Sequence, residues 1–84
     1  MADEDLEQLA EQLAALDVEP FLLSTASTIA SLAYAKLGAG DLPQAKKAID
    51  ALAALVPLVG EDIQADLQQA LTGLQVAYSA AASG

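Results

Sequence analysis

The chain has 84 residues, 3 Lys plus Arg against 12 Asp plus Glu, a formal charge of −9, and 55% hydrophobic residues of which few are aromatic. It contains no Cys, His, Trp or Arg. These absences exclude disulfide frameworks, thiolate nucleophiles, zinc–sulfur sites, imidazole bases and bidentate guanidinium clamps, and the negative field opposes nucleic acid and anionic lipid.

The first helical segment is expected over residues 3–16. Leu6, Leu9, Leu13 and Leu16 follow 3-4-3 spacing and form one stripe, with Glu4, Glu7 and Glu11 on the far side. Asp3, Glu4 and Asp5 fall in the first turn, where negative charge suits the helix dipole. This segment is the shortest and the most charged, so it is the least firmly held member of the expected core.

The second segment is expected over residues 20–37, opened by Pro20 at the first helical position. Leu22, Ala26, Ile29, Ala33 and Leu37 make its apolar stripe, widened by Leu23 and Ala30. Ser24, Ser27, Thr28 and Ser31 gather on the opposite arc, which is polar but uncharged. Gly38 is the expected residue just past the helix end, with Gly40 loosening the link.

The third segment, residues 42–56, has the clearest start signal. Asp41 is an N-cap candidate, Pro43 lies in the first turn, and Gln44 stands in a capping-box relation to Asp41. Leu42, Ala45, Ile49, Leu52 and Val56 line one face, and Pro57 stops the helix. The fourth segment, residues 61–80, carries Ile63, Leu67, Ala70, Leu71, Leu74, Ala77 and Tyr78 on one side. Its interior Gly73 costs about 1 kcal/mol of helix propensity relative to Ala.

Short links make successive helices antiparallel neighbours. The expected fold is therefore all-α, a short up-down antiparallel bundle of three to four helices in a single domain, with no sheet. A domain near this length buries about 60–65% of its unfolded surface, and its core alone contributes about 3–5 kcal/mol. Association between chains would supplement it. The richness in Leu and Ala argues against acidic disorder. The acidic start is the reverse of a signal-peptide n-region. The longest uncharged run, residues 20–35, would span about 24 Å as a helix, short of a ~30 Å hydrocarbon core. A cytoplasmic protein without stable membrane insertion is expected.

Three stretches taken together resemble a family of short acidic bacterial proteins classed as a domain of unknown function. They are Ser31-Leu32-Ala33-Tyr34-Ala35-Lys36-Leu37-Gly38, then Asp41-Leu42-Pro43-Gln44-Ala45 running on to Ile49-Asp50, then Leu67, Leu71 and Leu74 closing on Tyr78. The resemblance covers residues 20–78 and implies a small helical cytoplasmic protein. It implies no catalytic residue. The chain departs from the pattern at Leu55-Val56-Pro57-Leu58-Val59-Gly60, where family members carry a charged turn.

Several residues invite a functional reading. None of the serines Ser24, Ser27 and Ser31 follows Asp, which argues against the prosthetic-group attachment motif of acyl carrier proteins. The Ser/Thr arc has three readings: a solvent face bonding back to carbonyls, a close helix–helix contact across a dimer axis, or a polar ligand site. Seven acids fall in the first 19 residues and all three lysines, Lys36, Lys46 and Lys47, come later. That asymmetry suits a solvated face or a basic protein partner. The acids lack calcium-loop spacing, so no metal is expected. Lys36 with Tyr34, and Tyr78 with Ser79, are pairs by composition only, and no nucleophile, base and oxyanion donor are organised around them. No enzyme activity and no cofactor is expected.

The reading is a non-enzymatic helical interaction module that self-associates through apolar helix faces, a homodimer being favoured. Its expected interaction surface is Ser24, Ser27, Thr28, Ser31, Leu58, Val59 and Val76. The alternatives are a small-molecule or acyl-chain binding bundle, and an acidic protein that docks on a basic partner through its first helix.

Overall fold

Proline and glycine punctuate this chain, and the helices change direction where they fall. The computed structural model describes residues 3–84. Helix α1 spans Asp3–Ala14, α2 Glu19–Gly38, α3 Leu42–Leu55 and α4 Glu61–Ser83, and a single 3-10 turn, Val56–Leu58, follows α3. No strand occurs among the described residues. The fold is all-α, as the periodicities require.

The α2–α3 corner is a Schellman motif. Gly40 donates its N–H to Leu37 O at 3.1 Å and Asp41 donates to Lys36 O at 2.9 Å, which is the bonding pattern that satisfies the last carbonyls of a helix. Gly40 holds the left-handed conformation the motif needs, with φ 76°. The expectation that Gly38 lies just past the helix end is thereby corrected. Gly38 is the last helical residue and Ala39 the C-cap, because the left-handed residue that closes the motif is Gly40. Asp41 then starts α3, accepting from the Gln44 N–H at 3.4 Å. The reciprocal arm of a capping box is unavailable to Gln44, since the Asp41 N–H already closes α2.

The third corner is shaped by Pro57. It has no N–H to continue α3, so the chain tightens into the 3-10 turn and leaves it extended at Val59. Gly60 then donates its N–H to a carboxylate oxygen of Glu19, tying the start of α2 to the start of α4. The absence of a side chain at Gly60 admits that carboxylate, because a Cβ there would lie 2.7 Å from the Glu19 oxygen.

Helices α2, α3 and α4 pack on one another, with the α2–α3 hairpin the most extensive pair. The core is Ala26 and Ala33 from α2, Ala45, Ile49 and Leu52 from α3, Val56 and Val59 from the turn, and Leu67, Leu71 and Leu74 from α4. Two fully buried alanines on α2 let its backbone approach α3 closely. Leu22, Ile29, Leu37, Ile63 and Tyr78 are partly buried around this centre. Three of the four expected stripes therefore meet. The fourth does not: α1 buries no residue and leaves α2 at 82°. The Cα radius of gyration is 16.8 Å, against about 12 Å for a compact chain of this length. The projecting α1 accounts for the elongation in kind.

The two corner glycines provide a contrast. Gly38→Ala should stabilise the fold by about 0.5–1 kcal/mol, since the site is helical and a Cβ meets nothing within 4 Å. Gly40→Ala should cost about 1–2 kcal/mol for placing a side chain in the left-handed region. Urea denaturation of the two variants reads the opposite signs directly.

Candidate interaction surface

The leucine stripe of α1 is the largest ordered feature outside the core. Leu6, Leu9, Leu13 and Leu16 are 51, 49, 58 and 49% exposed, and Val18 and Phe21 prolong the apolar run into α2. At the elbow, Leu13, Leu16, Val18 and Phe21 line a shallow concavity of about 270 Å³. The elbow itself is well bonded. The Leu16 N–H donates to Leu13 O at 3.1 Å, and the Asp17 carboxylate accepts from the Glu19 N–H at 3.2 Å. The N–H groups of Phe21 and Leu22 both donate to Val18 O at 3.0 Å.

The residues alone left open whether the first stripe packs within its own chain or on another; here it does not join the seam of α2, α3 and α4. Electrostatics supplies a physical reason. Five acids and no base lie on α1, and the bundle end nearest its root carries Glu19, Glu61 and Asp62 around a second concavity. Folding α1 against that end would bring like charges together.

A different groove runs between α2 and α3. Ile29, Leu32, Ala48 and Ala51 form its apolar walls, Lys36 and Lys47 stand on its rim, and its volume is about 220 Å³. Lys36 pairs with Asp41 at 3.9 Å, and Lys46 with Asp50 at 3.0 Å. Lys47 has no carboxylate in ion-pair range among the described residues. The groove therefore combines an open apolar floor with positive charge on an otherwise acidic molecule. Opposite its Ser/Thr arc, helix α2 carries a broad apolar surface, of which Ala26 and Ala33 are fully buried and Leu22, Ile29, Ala30 and Leu37 partly so.

The residues singled out from sequence scatter over the surface. Ser24, Ser27, Thr28 and Ser31 are all exposed, and the Thr28 hydroxyl donates back to Ser24 O at 2.9 Å. That bond is the backbone-directed habit of helical hydroxyls. Leu58 and Val76 are exposed at 63 and 65%, but Leu58 sits in the 3-10 turn, and Val76 lies about 22 Å along α4 from its start. Val59 is corrected: at 6% exposure it belongs to the core, because the extended backbone after the 3-10 turn directs it inward. Phe21 and Leu32 escaped the sequence reading because they lie off the main α2 stripe. Their spacing of 11 residues, three helical turns, was the available signal that they share a second face.

The polar groups lie at the surface and cluster into no site. No polar or charged side chain among the described residues is buried, and no group of three acids has metal-binding geometry. Lys36 and Tyr34 diverge on α2: Lys36 turns to Asp41, while the Tyr34 hydroxyl lies over Gly73 of α4. Tyr78 and Ser79 border a small concavity with Lys46, Ile49, Asp50 and Gln75. The titration of Lys46 is raised, first by its hydrogen bond to Asp50 and then by that carboxylate's charge. A lysine held more firmly protonated is the opposite of an amine prepared for nucleophilic attack. The pair's contribution is fully present below the ordinary lysine pKa and is lost only as pH rises through the raised one.

Among the described residues, no single helix is long and apolar enough to cross a membrane. Comparison with protein-family models, curated proteins and solved structures finds no match to this chain.

Two substitutions separate surface from core. Leu9→Gln should change stability by less than about 0.5 kcal/mol, as expected for an exposed site. Leu52→Ala, at a fully buried position, should cost about 2–5 kcal/mol. Denaturation midpoints measured at dilution check both. Gly73→Ala should stabilise by up to about 1 kcal/mol, since only the exposed Tyr34 hydroxyl, 3.3 Å from the new Cβ, has to shift; a lower thermal midpoint would show that Tyr34 cannot move.

Proposed function

We propose that this chain is a non-enzymatic helical interaction module that self-associates through apolar helix faces, a homodimer being the favoured assembly. The observation that carries the reading is the α1 stripe. Three leucines in helical register on α1, Leu6, Leu9 and Leu13, continued past the helix end by Leu16, Val18 and Phe21, lie about half exposed on a chain whose remaining helices form a small core. Contiguous apolar surface of that kind on a small domain marks an interaction site. The bundle's own size argues the same way, since few residues remain to stabilise it alone.

The proposal extends to location and chemistry. A cytoplasmic protein without cofactor, acting by contact rather than catalysis, fits polar groups that lie at the surface, few of them paired. The resemblance to the acidic bacterial family of unknown function rests on residues 20–78, the stretch that supplies α2, α3 and α4. Helix α1 stands outside it and is the element this reading depends on.

A second reading has its own support. The five acids on α1 face no basic residue of that helix, which suits docking on a basic protein. The two readings differ in what binds α1, and one measurement separates them. Sedimentation velocity of the purified chain should show a concentration-dependent shift from monomer to dimer over about 1–100 μM, a usual range for modest helix-mediated contacts. A single monomeric species across that range would remove self-association and leave the basic partner.

A further inference from the structure

The α2–α3 groove and the α1 stripe match in length, shape and charge, and no described segment of the same chain fills the groove. We infer that α1 of one copy seats in the α2–α3 groove of a second copy, and that the exchange is reciprocal. The inference rests on the self-association reading and assigns its contact surface.

Length is the first argument. Leu6 to Leu13 covers seven residues, about 10 Å of helix. The groove's α2 wall, Ile29 to Lys36, also covers seven residues. The stripe therefore lays about two turns of leucine along Ile29, Leu32, Ala48 and Ala51. The alanines keep the floor low enough to admit the larger leucines, and Leu32, half exposed, gains a neighbour on its open side.

Charge is the second argument. Helix α1 carries five acids and no base, and the groove rim carries Lys36 and Lys47. Asp5 lies beside the stripe, on the flank that faces a rim lysine when the leucines point into the groove. Glu4, Glu7 and Glu11 stay on the outer face, in water. Lys47, with no ion pair in its own chain, gains one from the incoming helix.

Tethering decides which copy supplies the helix. Turned back on its own α2 through the elbow at residues 15–18, α1 would place Leu13 beside Phe21 and Leu6 near Thr28. The Leu32–Lys36 half of the groove would stay uncovered. The bonded elbow instead sends α1 away at 82°. A helix from a second copy has no such tether and can occupy the full groove. Exchange about a two-fold axis buries two seats for one association event and leaves no open end for further growth.

Complementation tests this in the full-length chain. One variant, Leu9→Gln with Leu13→Gln, disables the helix and keeps the groove. Another, Leu32→Gln with Ala51→Gln, disables the groove and keeps the helix. All four positions are exposed, and Gln preserves helix propensity, so circular dichroism should show both variants folded. Each alone should dimerise at least about tenfold more weakly than the unaltered chain. Mixed at a concentration where neither self-associates, they should form a heterodimer through the one intact seat, captured by a tag on either partner. Lys47→Glu should weaken the unaltered dimer further as ionic strength falls. If the unaltered chain dimerises and the groove variant dimerises equally well, the groove assignment fails while self-association stands. If the mixture gives no heterodimer, reciprocal seating fails. If the unaltered chain is monomeric and the leucine variant loses thermal stability, α1 folds back on its own chain and both readings fail.

Discussion

The structure hangs on one residue that ends one helix and begins the next. The Asp41 N–H closes α2 at Lys36 O, and its carboxylate receives the Gln44 N–H at the start of α3. With Gly40 supplying the left-handed turn between them, the two helices have a fixed angle and register. Ala26 and Ala33 of α2 then share one buried cluster with Ile49 and Leu52 of α3. Lys36 reaches Asp41 over the same corner, so an ion pair spans the Schellman motif where an apolar contact often does.

The remaining bundle is built outward from that hairpin. Pro57 halts α3 and the 3-10 turn swings Val59 under the core. Glu19 then holds the Gly60 N–H across 41 residues of chain, which aligns the start of α4 with the start of α2. Leu67, Leu71 and Leu74 complete the apolar centre. A polar contact thus sets where a helix begins, and apolar contacts set how it lies. The polar contribution is local and geometric, whereas burial supplies the bulk of the free energy.

The same geometry leaves two apolar surfaces without partners inside the chain. The elbow carries α1 away from the bundle, and the apolar surface of α2 is covered on only part of its width, Leu32 remaining half exposed. Acid is concentrated on α1 and two of three lysines rim the open groove. That distribution of charge is what the proposed exchange of α1 between copies draws on. Ser24, Ser27, Thr28 and Ser31 lie exposed on α2, and the Thr28 hydroxyl bonds back to Ser24 O.

Helix content, the four segments and most core positions were legible in the residues, because 3.6-residue periodicity, capping residues and prolines act over a few neighbours. Asp41, Pro57 and the stripe from Leu67 to Leu74 behave as local chemistry dictates. Gly38 and Gly40 could not be told apart, since both suit a helix end and only the completed bonding to Lys36 and Leu37 selects the second. Val59 looked like a loop residue until the 3-10 turn set its direction. The α1 leucines were the hardest case: an apolar stripe records that a helix needs a partner, not which surface provides it. That choice depends on the elbow angle and on the charges gathered at the end of the bundle, quantities that arise only when distant parts of the chain are brought together.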